Sequence, residues 1–173
     1  MELENKNVVV TGGANGIGKA LAQEFHERGA RLVLADRDAN LLNELVDNLN
    51  NKRVNSAHGV VCDLSTEAAN AELVSKSKQF LGFIDLFFAN AGVAMGTDMS
   101  TDEETWNISF DVNVHAHRWA AKYLMPEWLA AGKGYFAVTA SAAGVLAQID
   151  GELLGELPMT FTIAEHTVEM IVP

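Results

Sequence analysis

The sequence predicts an α/β protein: a doubly wound parallel sheet with helices on both faces, incomplete at its C-terminal side. Two observations carry this. Short β-branched runs alternate with amphipathic helical stretches from Asn7 to Ala140. The connections are short, and no repeat or linker interrupts the alternation.

The elements follow in order. Asn7–Thr11 (NVVVT) reads as a buried parallel strand. Residues 16–29 read as a helix with Ile17, Leu21, Ala22 and Phe25 at core spacing, and Gly29 at its C-terminal end. Residues 31–35 (RLVLA) form the second strand. Asp38 caps a second helix carrying Leu41, Leu42, Leu45, Val46 and Leu49. Residues 54–62 contain the third strand, and Ser65 or Thr66 caps a third helix reaching about Phe80. Residues 84–89 (IDLFFA) are the fourth strand, and residues 90–102 a glycine-containing loop. Residues 105–131 read as a long helix, mostly from Ser109 onward, which Pro126 kinks or breaks near its end. Residues 134–140 (GYFAVTA) form the fifth strand. Residues 151–173 break the rhythm. They contain Pro158, and residues 159–164 fit a strand or a poor helix equally.

Composition narrows the class. At 173 residues and 49% apolar, one domain with an ample core is expected. The formal charge is −11, from 12 basic and 23 acidic residues, so a nucleic-acid partner is not expected. No apolar run approaches the roughly 20 residues of a membrane span. The N-terminus lacks a signal-peptide pattern, and the lone Cys62 has no partner within the chain, which favours the cytoplasm. Cys62 reads as a small buried residue rather than a nucleophile.

Residues 11–18 (TGGANGIG) lie between the first strand and the first helix. Amides at a helix start point outward, and the helix dipole favours an anion there. Gly12, Gly16 and Gly18, at spacings of four and two, let the turn tighten and let a pyrophosphate approach the backbone. In that strand-then-helix context the loop points to a Rossmann-type dinucleotide-binding domain. The second check is an acid at the end of strand two, and Asp36 stands 20 residues after Gly16. A carboxylate there repels a 2′-phosphate, so NAD is favoured over NADP, although Arg37 follows directly and softens that preference.

TGGANGIG followed by Asn90-Ala91-Gly92 resembles the classical short-chain dehydrogenase/reductase family, continuously from Lys6 to about Gly151. The resemblance implies an NAD(P)-dependent oxidoreductase that moves hydride between nicotinamide and an alcohol or carbonyl substrate. It assigns Thr11, Gly12, Gly16, Ile17 and Gly18 to the coenzyme pyrophosphate turn and Asp36 to ribose recognition; Asn15, within the turn, and Arg37, next to Asp36, are further candidate coenzyme-binding residues. Asp63 and Leu64 match the adenine pocket, and Asn90, Ala91 and Gly92 the motif after strand four. Asn113, in DVNVHAH, and Ser141, in TASAAG, match catalytic positions. Asp36, Asp63, Asn90 and Ser141 all fall just past strand ends, where doubly wound sheets bind ligands. A serine there can hydrogen-bond a reacting oxygen. His115 and His117 read as packing or surface residues, and no metal site is expected.

One departure matters. The family's proton donor is a tyrosine, with a lysine four positions later, a dozen or so residues beyond the serine. At that distance this sequence has Leu153, Leu154, Gly155, Leu157, Pro158 and Met159. No tyrosine follows Tyr135 and no lysine follows Lys133. Losing a general acid removes a contribution of about 10²- to 10⁴-fold in rate. The sequence therefore reads as residues 1–151, a dinucleotide-binding domain, followed by residues 152–173, an atypical tail. Three readings follow: an impaired oxidoreductase by descent, truncated or altered in frame; a nucleotide-binding module without chemistry; or a remnant. In the family the long helix packs a dimer interface. Its apolar face (Val112, Ala116, Trp119, Ala120, Tyr123 and Leu124) is expected to be partly exposed, with poor solubility or a homo-oligomer through helix 105–131.

Overall fold

The computed structural model describes residues 2–95, 100–140, 147–149 and 152–155. Five parallel strands form the main sheet: β1 (Asn7–Thr11), β2 (Arg31–Asp36), β3 (Ala57–Val61), β4 (Leu86–Ala89) and β5 (Tyr135–Val138). Their order is β3-β2-β1-β4-β5. The chain winds one way from β1 to β3, then crosses back to β4, so the order reverses between β1 and β4. Such a reversal opens a crevice at the carboxyl ends of the two strands. A separate antiparallel pair, β6 (Ala147–Ile149) and β7 (Glu152–Gly155), makes a second small sheet.

Strand alternation divides the core in two. Val9, Val33, Phe87, Ala89 and Phe136 face α3 (Glu67–Leu81) and α5 (Ala116–Ala131), meeting Leu73, Val74, Ala120, Leu124 and Trp128. Val8, Val10, Leu32, Leu34 and Leu86 face α1 (Gly16–Glu27) and α2 (Ala39–Lys52), meeting Ala22, Phe25, Leu42, Leu45 and Leu49. Val8, Val9 and Val10 are all fully buried, which is why this strand is β-branched throughout instead of alternating with polar residues.

Caps set the helix starts. Asp38 accepts from the amides of Asn40 and Leu41, both at 3.0 Å, and Thr66 rather than Ser65 caps α3, accepting from Ala69 at 3.2 Å. Asp102 accepts from Thr105 at 2.8 Å and begins α4 (Glu103–Phe110), two residues ahead of the expected start. A π-helical turn, Asp111–His115, joins α4 to α5. Such turns insert one extra residue and recur at functional sites.

Three expectations are corrected. Pro126 does not break α5, which runs on to Ala131. Packing holds the helix on both sides of it: Leu124 is fully buried, and the Trp128 indole donates to the Ile84 carbonyl at 2.8 Å. Ile17 is not a core residue but is 62% exposed, because it lines the open cleft at the start of α1 instead of packing on the sheet. The apolar face of the long helix is also not bare. Val112, Ala116, Trp119, Ala120 and Leu124 are buried; of the six, only Tyr123 is exposed, its hydroxyl donating to Glu67, and Trp106, Phe110, Val114 and Leu129 are the other exposed apolar side chains of this region. Among the described residues, no helix is long and apolar enough to cross a membrane. Residues 159–164 lie outside the described residues.

Candidate functional site

A cleft of about 530 Å³ opens at the carboxyl ends of the strands, where the order reverses. Eleven of the residues singled out in sequence line it: Gly12, Asn15, Gly16, Ile17, Asp36, Arg37, Asp63, Leu64, Asn90, Ala91 and Gly92. Ala35, Cys62, Val93, Ile108, Val112 and Thr139 complete the lining.

The glycine turn is shaped by two kinds of constraint. Gly12 and Gly16 adopt left-handed backbone, with φ of +62° and +53°. Gly18 is constrained by space: a Cβ there would sit 2.0 Å from the Gly12 carbonyl oxygen. At Gly16, by contrast, nothing lies within 4 Å of a notional Cβ, so the backbone there is open to an approaching group. Asn15 is the N-cap of α1, and its Oδ1 accepts from the Gly16 amide at 2.8 Å.

Asp36 ties this turn to the end of β2. One carboxylate oxygen accepts from the Ala14 amide at 3.0 Å and the other from the Asp38 amide at 3.1 Å. A carboxylate has about four acceptor sites, so each oxygen retains capacity for a further donor. Arg37 is exposed beside it. Asp63 accepts from the Ser65 amide at 3.0 Å and so fixes the turn after β3, while Leu64 is buried.

Thr11 does not line the cleft but braces it. Its buried hydroxyl accepts from the Asn90 and Ala91 amides, both at 3.0 Å. The Asn90 side chain donates to the Thr11 and Gly12 carbonyls at 3.1 and 3.3 Å, and accepts from the Thr139 hydroxyl at 2.8 Å. The ends of β1, β4 and β5 are thus joined by one polar network. Thr139 was not singled out in sequence. Its signal was its position one residue past β5, the same place that Asn90 holds past β4.

Asn113 sits in the π-helical turn, and its side chain is engaged with backbone rather than with the cleft. Nδ2 donates to the Val93 carbonyl at 2.9 Å and to the Ser109 hydroxyl at 3.3 Å, and Oδ1 accepts from the Val93 amide at 2.9 Å. Ser141 and Met99 lie outside the described residues. Met95 is exposed.

The Cys62 thiol, which lines the cleft, does not behave as a nucleophile. Burial, then Glu72, pushes the Cys62 thiol up to about 11, so it stays protonated. His115 packs against the Trp119 ring at 5.5 Å. Burial lowers the pKa of His117, while the nearby Ala91 backbone opposes that shift. Among the described residues, no three His, Cys, Asp or Glu side chains converge as a metal site would require.

A cleft at the strand reversal, a glycine turn against a helix start and an acid ending the next strand together define a doubly wound α/β domain of the Rossmann type. The family model described as short chain dehydrogenase matches residues 6–152, and the chain belongs to that family. An uncharacterised oxidoreductase of Listeria monocytogenes is 30% identical over 158 residues, covering 90% of this chain and 62% of the relative. A short chain aldehyde dehydrogenase of Euphorbia lathyris is 30% identical over 169 residues, covering 96% of this chain and 56% of the relative. A Burkholderia phymatum short chain dehydrogenase/reductase solved in complex with NAD superposes with a TM-score of 0.79 at 31% identity, covering 86% of this chain and 53% of that one. A metagenomic short-chain oxidoreductase in complex with NADP gives 0.78 at 29% identity, covering 87% and 69%. The chain thus spans somewhat over half the length of the curated relatives it matches.

Proposed function

We propose that the chain binds a nicotinamide dinucleotide in the cleft, NAD in preference to NADP, and derives from an oxidoreductase acting on an alcohol or carbonyl substrate. The observation that carries this is Asp36, whose carboxylate is fixed beside the glycine turn with acceptor capacity left over. The residues present fit the coenzyme. The open backbone at Gly16 and the α1 amides suit a pyrophosphate. Asp36 suits the ribose hydroxyls, and Asp63 with Leu64 suits the adenine ring. A 2′-phosphate would meet the Asp36 charge, with only Arg37 to offset it.

The bound nicotinamide supplies or accepts hydride. Within this chain, Ser141 is assigned to hold the substrate oxygen by a hydrogen bond. Asn113 is assigned a positioning role, because its amide already grips the Val93 backbone that lines the cleft. We assign residues 1–151 to the coenzyme domain and residues 152–173 to a separate tail. Where the family places its tyrosine and lysine the sequence has Leu153, Leu154, Gly155, Leu157, Pro158 and Met159, so the 173-residue polypeptide should hold coenzyme with little turnover.

NADH titration followed by an alcohol and ketone panel tests this. Binding without turnover supports coenzyme retention without efficient chemistry. Rapid turnover would show that the tyrosine–lysine pair is dispensable here. Absence of NADH binding would leave only the non-functional remnant.

A further inference from the structure

We infer that Asn15–Gly16 is a site of spontaneous covalent modification, at which the Gly16 backbone nitrogen displaces ammonia from the Asn15 side chain and leaves a carboxylate in the glycine turn. The functional consequence rests on the coenzyme reading above, whereas the chemistry does not.

Asn15–Gly16 is the single Asn-Gly pair in the sequence. Asn15 is exposed, with extended backbone at φ −144° and ψ 169°. Its Oδ1 lies 2.8 Å from the Gly16 nitrogen, so the side-chain amide carbon is one covalent bond beyond a group already in contact with the atom that would attack it. Gly16 has no side chain to obstruct that approach, and nothing fills the space beside it. Other asparagines are better protected. The side chains of Asn50, Asn70, Asn90 and Asn113 are each tied to residues four or more positions away, whereas Asn15 bonds its own neighbour, and each of the four is followed by a residue bearing a side chain.

The step balances with water alone. The Gly16 nitrogen loses its proton to solvent base, and its electron pair forms a bond to Asn15 Cγ. The bond from Cγ to Nδ2 breaks, and the amide leaves as ammonia after taking up a proton. The resulting five-membered imide is opened by water at either carbonyl, giving aspartate or isoaspartate. One water is consumed, one ammonia is released and nothing is oxidised.

The consequence separates stability from binding. An aspartate at the N-cap of α1 suits the helix dipole, so the fold is not weakened. The same charge faces the place where a diphosphate would enter, and binding should fall roughly tenfold. Isoaspartate also lengthens the backbone beside Gly18, where the turn has no spare space.

The test is to incubate the purified 173-residue chain in warm, mildly alkaline buffer. Peptide mapping with isoaspartate detection, NADH affinity and Tm are followed together. Parallel samples contain saturating NADH or carry Asn15→Ser. The expected result is a single-deamidation mass gain at Asn15 before any other asparagine. It should be slower with NADH present and absent in Asn15→Ser, and NADH affinity should fall about tenfold, while Tm holds in the fraction converted to aspartate. Conversion at Asn15 no faster than at Asn40 or Asn55 would overturn the inference, and so would full conversion with unchanged NADH affinity. Fresh protein that fails to bind NADH would overturn the coenzyme reading and the functional consequence with it, while conversion at Asn15 would still support the modification.

Discussion

The Asn113 side chain grips the Val93 backbone from both sides, donating to its carbonyl and accepting from its amide, each at 2.9 Å. Val93 follows the Asn90-Ala91-Gly92 turn and lines the cleft, so a residue of the long helix sets the path of the loop after β4. Asn113→Ala removes both bonds and should cost about 1–3 kcal/mol in urea unfolding. It should also weaken NADH binding. Asn113→Asp keeps the acceptor but loses the donor, and its NADH affinity should lie between wild type and Asn113→Ala. Equal affinities in all three proteins would remove the positioning role.

Thr11→Val tests the brace between β1 and β4. Valine matches threonine in shape but leaves the Asn90 and Ala91 amides without the hydroxyl they share at 3.0 Å. The site is buried, so the two orphaned donors should cost about 1–3 kcal/mol each at most. Chemical denaturation should show the loss, and Thr11→Ser, which keeps the hydroxyl, should recover much of it.

Two glycines in the same turn should fail in different ways. Gly18→Ala forces a methyl against the Gly12 carbonyl, so stability should fall by at least about 1–3 kcal/mol. Gly16→Ala meets no neighbour and carries only the cost of its left-handed backbone, about 1–2 kcal/mol. Its methyl projects where coenzyme would approach, so its larger effect should be on NADH affinity. Melting curves and titrations on both variants separate the two outcomes.

Acid should weaken the fold through His26. This buried imidazole pairs with the Ser56 hydroxyl at 2.7 Å, and Ser56 in turn donates to the Arg53 carbonyl. The Arg53 guanidinium donates to the carbonyls of His26 and Ala30. Burial, then Arg53 and Lys52, lowers the His26 pKa from 6.5, with Glu27 opposing. The unfolded chain therefore binds the proton more readily than the folded one. The stability held by neutral His26 is complete above its ordinary value of 6.5 and is lost as pH falls through the lowered one. Tm measured from neutral pH downward should decline. His26→Gln should flatten that decline, leaving the contribution of His117, whose pKa burial lowers in the same sense.

The strands, the caps at Asp38 and the glycine turn were legible because each is a local pattern: β-branched runs, an acid before a helical period, glycines at fixed spacing. Asp36 was legible from its place at the end of a strand. What stayed hidden depends on residues distant in sequence. Thr139 gains its role only when β5 lies beside β4 and brings its hydroxyl to Asn90, 49 residues away. Ile17 follows helical core spacing, yet it lines the open cleft and is exposed there. Pro126 carries a strong local signal to stop a helix, and the buried anchors Leu124 and Trp128 override it. The π-helical turn at Asn113 has no periodic signature, because it shifts the helix by one residue rather than ending it.

The most direct measurement is a fluorescence titration of the 173-residue chain with NADH and NADPH, alongside Asp36→Ala. Saturable NADH binding, weaker NADPH binding and a narrowed or reversed preference in Asp36→Ala are the expected results. Equal affinity for the two coenzymes in the wild-type chain, unchanged by Asp36→Ala, would contradict the role given to Asp36, and failure to bind either would contradict the site itself.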